Sequence, residues 1–383
     1  MEERRSGLNE VLITATASVT GLGPDLDTTW RRLLAGETAV RPIRRFDTGR
    51  YPARNASWIE GLESRGDRSL LFPILERLLD GFAPLPPGCR LVTATTKGCI
   101  DTFERVQKGL PGDVADIPVS GPLAWLASRL GLNDPGVNIN GACASSTMAV
   151  ARAAAMIESG RADAVLVVCM DLVTEFVFSG FSSLLALDPA GCRPFDRNRN
   201  GLSLGEGGAA LLLMNAATAR RQGVSGIGSV VGWGAANDAT HVTAPARDGC
   251  GLIQSVRRAM AKASIGPDDI AAINAHGTGT VYNDEMESTA FEAVFGPRRI
   301  PLNSIKGAIG HSLGAAGGIE VAVGMRSLAE RTLPPTAGFR EPMEKCAFSI
   351  SPFPQPIDGI YLLSTNSGFG GINAAIVLKR EPG

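Results

Sequence analysis

Two separated stretches of the chain share one order of parts, and that repetition limits what the chain can fold into. "GVNINGACASSTMAVARAAAMI" (136–157) runs from a short strand through a glycine turn to Cys143, then into a helix of small side chains. "PLNSIKGAIGHSLGAAGGIEVAVGM" (301–325) repeats this order, with His311 near the place of Cys143. A further strand follows each, within "ADAVLVVCM" and "GIYLLSTNS". The repeat predicts a duplicated α/β unit, with halves 1–222 and 223–383 meeting near "AATARRQGVSG".

The intervening sequence fits that unit. Short β-rich runs such as "EVLITATASV", "RLVTATT" and "AAINAHG" alternate with helical runs such as "PLAWLASRLG" and "LIQSVRRAMAKASI". Several strands are apolar on both faces, as strands between helical layers must be. At 383 residues the chain is too long for one ordinary core and suits a large duplicated fold. Its formal charge of -1 gives no cause to expect a nucleic-acid or membrane partner. The charged "MEERRSGLNE" lacks the apolar stretch of a signal peptide. Seven cysteines, an odd number with no CxxC pair, argue against a disulfide framework and a zinc site. A reduced, cytoplasmic protein is expected.

Two of the three histidines, His276 in "AAINAHGTGT" and His311 in "NSIKGAIGHSLG", lie in glycine-rich turns directly after strands. Ligands bind at strand ends in α/β proteins. Together with Cys143, these turns offer a nucleophile-plus-imidazole set on three loops. A free thiol has a pKa of about 8.5, and a helix N-terminus favours its anion. That field is worth roughly 0.3–1 kcal/mol. At about 1.36 kcal/mol per unit it lowers the pKa by about one unit at most. The thiol therefore needs further help to ionise at neutral pH.

"GACASS" (141–146), "AHGTGTVYNDEME" (275–287), "IKGAIGHSLGAAGGIE" (305–320) and "NSGFGGINAA" (366–375) occur in that order. Together they resemble the signature segments of the elongating β-ketoacyl-acyl carrier protein synthases. The likeness runs from "TGLGPDLDTTW" to "AAIVLKR", nearly the whole chain. It implies a thiolase-like α/β fold with two duplicated halves in α-β-α-β-α layers. It also implies decarboxylative condensation of malonyl on a carrier protein with an acyl group held on Cys143. By this resemblance His276 and His311 hydrogen-bond the malonyl thioester carbonyl, Lys306 supports the second histidine, and Glu287 is the carboxylate of the buried network. A buried Lys306–Glu287 pair is the expectation. Phe369, flanked by Gly368 and Gly370, corresponds to the gate, its amide joining that of Cys143 as an oxyanion hole. Thr278, Thr280 and Thr243 correspond to residues that contact the pantetheine arm, and Asp238 and His241, on the same loop as Thr243, to a second gate. The family uses no metal or organic cofactor, because its substrates ride on carrier phosphopantetheine, and it assembles as homodimers or as heterodimers with a second synthase-like subunit. Arg65, Arg68, Arg197 and Arg199 are candidates for the basic rim that meets the acidic carrier.

The chain departs from the pattern at "VTATTKGCID" (92–101), which aligns with the acyl-pocket lining. There Lys97, beside Thr96, stands where an aliphatic side chain is usual. A buried ammonium next to an alkyl chain is costly. Either Lys97 pairs with Asp101 one helical turn on or points away, and a non-standard acyl substrate is expected: short, polar, aromatic or polyene-like. Ser367 and Ile372 also differ from the usual residues around the gate. Two other readings compete. A thiolase-type acyl-CoA transferase needs a second reactive cysteine, and Cys346 in "MEKCAFSI" lies outside any glycine-rich turn. A silent chain-length partner subunit usually lacks the cysteine that this chain has.

Overall fold

The computed structural model describes residues 10–64 and 66–381. Its main sheet has ten strands: β1 (Val11–Thr20), β2 (Arg90–Ala94), β3 (Val137–Ile139), β4 (Ala164–Asp171), β5 (Gly207–Asn215), β6 (Gly228–Asn237), β7 (Ile270–Asn274), β8 (Leu302–Asn303), β9 (Tyr361–Gly368) and β10 (Ile372–Lys379). The spatial order is β8-β7-β9-β10-β6-β1-β5-β4-β2-β3. Read outward from the centre, β1-β5-β4-β2-β3 and β6-β10-β9-β7-β8 are the same topology. In the first set β5 is antiparallel to β1 and β4, whereas β2 is parallel to β4 and β3. In the second, β10 is antiparallel to β6 and β9, and β7 is parallel to β9 and β8. Among the described residues, the two sets pair where Leu12 and Ile13 of β1 meet Ser229 and Gly228.

The helices that build the layers and the site are α1 (Leu71–Leu79), α2 (Ser120–Arg129), α3 (Ser145–Glu158), α4 (Glu175–Ser183), α5 (Cys250–Ala263), α6 (Val281–Phe295) and α7 (Ala316–Ala329). Leu71, Leu75 and Leu126 of α1 and α2 pack with Leu166, Val168 and Leu212 on the outer face of the first set. Val256, Met260 and Phe291 of α5 and α6 pack with Ile273, Leu363 and Val377 on the outer face of the second. Between the sets lie α3 and α7, whose Ala153, Ile157, Ile319 and Ala322 share a core with Val167, Leu211, Ile376 and Leu378. The order of layers is therefore α-β-α-β-α. Covered on both faces, every residue of "AVLVVCMD" (β4) and "GGAALLLMN" (β5) is buried.

The small residues of the two repeated segments have a packing reason. A methyl on Gly317 would overlap the Thr147 hydroxyl, and one on Gly318 the Cys169 sulfur. Only bare backbone lets α7 lie this close to α3 and β4. The repeat itself maps onto equivalent parts: β3 leads through Cys143 to α3, and β8 leads through His311 to α7. That equivalence brings both turns to the middle of the molecule. Among the described residues, no helix is long and apolar enough to cross a membrane.

Candidate active site

Cys143 sits one residue past Ala142, which adopts a left-handed φ of 50°. This conformation costs a non-glycine residue about 1 kcal/mol or more and is held by surrounding bonds. Ser145 supplies two of them, its hydroxyl accepting from Gly141 N at 2.9 Å and its amide donating to Ala142 O at 3.2 Å. The turn ends at the start of α3, leaving the thiol buried, 7% exposed. Burial pushes it up to about 11, although the charges of Lys306 and Lys97 and a hydrogen bond from the Phe369 amide pull the other way. The helix-end argument from sequence thus loses to desolvation: the resting group is a thiol.

His276 and His311 meet edge to face, with ring centroids 5.1 Å apart. Both are buried and held well below the usual histidine range, chiefly by desolvation and then by the Lys306 charge. Both imidazoles are therefore neutral at physiological pH. Asn366 fixes the tautomer of the first. Its Nδ2 donates to Glu320 Oε2 at 2.7 Å and lies 3.1 Å from His276 Nδ1, so Nδ1 accepts and the proton is on Nε2. Neither ring nitrogen of His311 has a hydrogen-bond partner among the described residues. A buried imidazole N–H left unpaired costs roughly 1–3 kcal/mol, which an incoming oxygen would recover.

Lys306 is buried, as expected, but its ion-pair partner is Glu320 on α7, not Glu287. Its ammonium also donates to the His276 carbonyl at 2.6 Å. Glu287, on α6, instead holds the backbone of the histidine loop. Its carboxylate accepts from His276 N at 2.7 Å, Gly277 N at 2.6 Å and Asn283 Nδ2 at 2.8 Å. Burial, then the neighbouring Asp284, pushes its pKa up to about 8. Sequence reasoning missed Glu320 and Asn366. The one signal was a lone carboxylate in the apolar run "AAGGIEVAVGM".

Two cavities meet at Cys143. One, of about 390 Å³, is lined by Cys143, His276, His311, Thr278, Thr280, Thr243, Asp238 and Phe369 among others. The hydroxyls of Thr278 and Thr280 are 2.8 Å apart on its wall. The other, of about 360 Å³, is lined by Cys143, Thr96, Lys97, Phe181, Leu184 and Phe369 among others. Phe369 stacks on Phe181 at 5.8 Å and borders both spaces. The loops expected to gate are tied together: Gly370 N donates to Val242 O at 2.7 Å, and Asn373 Nδ2 donates to Asp238 Oδ1 at 2.8 Å. Gly368 lies so close to the nucleophile turn that a Cβ there would stand 3.1 Å from Cys143 N. His241 is exposed; its Nδ1 accepts from Thr243 N at 3.1 Å and Ala244 N at 3.0 Å, closing its own loop rather than lining either cavity.

Other sequence expectations are corrected. Lys97 does not pair with Asp101, which instead accepts from the Ser69 hydroxyl and the Leu70 amide. Nor does it point away: its ammonium donates to Thr96 Oγ1 at 3.1 Å and lines the second cavity. Arg199 is buried against Asp284 and Glu285, so it forms no rim. Arg68 is held by both oxygens of Asp116. Arg197 is exposed beside Glu341, and Arg65 lies outside the described residues. Cys346 packs at the edge of the outer core between α5 and α6, away from both cavities.

A duplicated thiolase-type sandwich with one cysteine and two neutral imidazoles on a shared cavity defines a class, the carbon–carbon condensing acyltransferases. Family models described as "Beta-ketoacyl synthase, N-terminal domain" and "Beta-ketoacyl synthase, C-terminal domain" match residues 118–219 and 227–340. The chain is 34% identical to the tetracenomycin polyketide synthase ketoacyl synthase alpha subunit of Streptomyces glaucescens, over 92% of each chain. It is 30% identical to 3-oxoacyl-[acyl-carrier-protein] synthase 2 of Staphylococcus aureus, over 97% of this chain and 98% of that one. Among solved structures, the ishigamide ketosynthase/chain length factor superposes with a TM-score of 0.88 at 29% identity, covering 97% of this chain and 99% of that one. The chain belongs to the β-ketoacyl synthase family.

Proposed function

We propose that the chain is an elongating β-ketoacyl-acyl carrier protein synthase, with residues 1–222 supplying the sulfur and 223–383 both imidazoles. One observation carries this reading: Cys143 is shared by two cavities, and the two imidazoles line only one of them. An acyl chain delivered by its carrier is transferred to Cys143 and lies in the second cavity. The transfer passes through a tetrahedral oxyanion, for which the amides of Cys143 and Phe369 are the donors. Because the resting thiol is protonated, its proton passes to the departing carrier sulfur as the new thioester forms and the old one breaks. The malonyl thioester then enters past Thr278 and Thr280. His276 Nε2–H and a His311 N–H donate to its carbonyl oxygen as carbon dioxide departs, stabilising the enolate. Being neutral, they offer no strong acid to quench the carbanion, which attacks the acyl-Cys143 carbonyl and releases the thiolate. This sequence asks for no metal or organic cofactor, since carrier phosphopantetheine presents both thioesters.

The relatives extend the proposal to partners and place. The ishigamide protein is a ketosynthase/chain length factor, and the ApeO ketosynthase, 25% identical with a TM-score of 0.81, is in complex with its chain length factor ApeC. In this chain β3 is one of the two edges of the sheet, and its Val137 is exposed. We place a homodimer or such a heterodimer there, in the cytoplasm. The buried thiol and intact imidazole pair make this chain the catalytic member. The finer assignment, a 3-oxoacyl-[acyl-carrier-protein] synthase of the synthase 2 type with a non-standard acyl chain, belongs to this proposal as well. Incubation with acyl- and malonyl-carrier protein should give carbon dioxide and a β-ketoacyl product by intact mass. Cys143→Ala should abolish the product; product formation by that variant would defeat the reading.

A further inference from the structure

The second cavity holds one feature that saturated acyl chains do not explain. Its walls are mostly apolar, with Phe176, Val177, Phe181, Leu184, Leu313 and Phe369, yet Lys97 is set among them. Among the described lining residues it is the one charged group. The side chain is anchored, not incidental. Asp171, fully buried, accepts from Thr95 Oγ1 at 2.8 Å, Thr96 Oγ1 at 2.9 Å and Gly314 N at 2.7 Å. The Thr96 oxygen, with its proton given to Asp171, then accepts from Lys97 Nζ at 3.1 Å. An ammonium has three donors, and this relay uses one.

Nearby polar groups are already committed. Asn140 donates to Thr96 O at 3.1 Å and accepts from Ala142 N at 3.2 Å. Two Lys97 N–H groups are therefore left for water or for whatever displaces it, in the same cavity that Cys143 lines. An alkyl chain would strip water from that ammonium and return nothing. A chain with an oxygen at that depth would return a charge-assisted hydrogen bond.

We propose that Lys97 reads an oxygen of the acyl chain held on Cys143, so that the preferred acyl substrates are oxygenated near the thioester, as β-keto or β-hydroxy chains. This rests on the condensing-enzyme reading and names the substrate class of that same site.

The test compares Cys143 acylation from hexanoyl-, β-ketohexanoyl- and β-hydroxyhexanoyl-carrier protein, followed by intact mass on the full chain. The wild-type protein should favour at least one oxygenated chain over hexanoyl by roughly tenfold or more. Lys97→Met should bring that ratio near one, whereas Lys97→Arg should keep most of it. If Lys97→Met fails to fold, Lys97→Gln serves as the neutral variant. A wild-type preference for hexanoyl would overturn the proposal. So would an equal slowing of all three chains by Lys97→Met, because Lys97 would then act on the thiol alone. Failure of the condensing reading looks different: no carrier would acylate Cys143 at all.

Discussion

Replacing Glu320 by Gln tests the buried network that supports the histidines. Glu320 and Lys306 are each 1% exposed and joined by an ion pair. Removing one charge of a buried pair leaves the other uncompensated and typically costs about 3–5 kcal/mol. That is a large part of the roughly 5–15 kcal/mol that holds a folded protein together. Gln also turns an N–H₂ toward either Lys306 Nζ or Asn366 Nδ2, both of them donors. Asn366 is then free to rotate away from His276 Nδ1, so His276 loses the contact that keeps its proton on Nε2. The expected pattern is a strong stability loss by denaturant titration and a drop of about 100-fold in malonyl decarboxylation, the size of one lost oxyanion donor. Acyl transfer to Cys143, which does not use His276 Nε2, should fall far less. The double variant Lys306→Met/Glu320→Met should be more stable than the summed single losses by at least about 1 kcal/mol, since neither charge is then stranded. Its decarboxylation should not recover. A stability change under about 1 kcal/mol in Glu320→Gln, with decarboxylation intact, would refute the reasoning.

Three further outcomes follow from the geometry. Gly368→Ala places a Cβ 2.9 Å from Gly141 O and 3.1 Å from Cys143 N, which pushes the two oxyanion amides apart; stopped-flow acylation of Cys143 should slow about 100-fold. With the thiol pushed up to about 11, alkylation of Cys143 by iodoacetamide should rise about tenfold per pH unit from 7 to 9. A plateau below pH 8 would instead reveal a thiolate–imidazolium pair. Glu287, raised to about 8, keeps a proton in the folded protein that the unfolded chain has already lost, so stability falls as pH rises from the ordinary 4.5 to about 8 and levels off above it. The buried imidazoles act oppositely, favouring the fold as pH rises, but only below about 6.5, the ordinary histidine value. The melting temperature should therefore decline from about pH 6.5 to 8; a steady rise over that range would contradict the Glu287 assignment.

What the sequence discloses here is local, and what it hides depends on tertiary contacts and burial that residue order does not fix. Cys143, His276 and His311 are legible because each follows a strand in a glycine-marked turn, and strand ends are placed by the chain's own alternation. The duplication is legible for the same reason, since β3–α3 and β8–α7 keep one order of residue types. Glu320 is not legible as the partner of Lys306, because both lie in "IKGAIGHSLGAAGGIE" and only the path of the turn between them brings α7 back onto the lysine. Glu287 competes as a candidate in a motif of its own, and only geometry shows it committed to backbone amides. The helical-spacing argument for Lys97 and Asp101 fails at its premise: the helix begins at Ile100, so Lys97 lies in the bend before it and the two do not share a face. The thiol's acidity fails for a different reason. A helix end offers at most about 2 kcal/mol to an anion, and complete burial of the sulfur outweighs it. The same burial holds both histidines neutral, so the desolvation that leaves the nucleophile unready also keeps the decarboxylation site free of acid. Activation of the sulfur must then come with the acyl carrier rather than precede it.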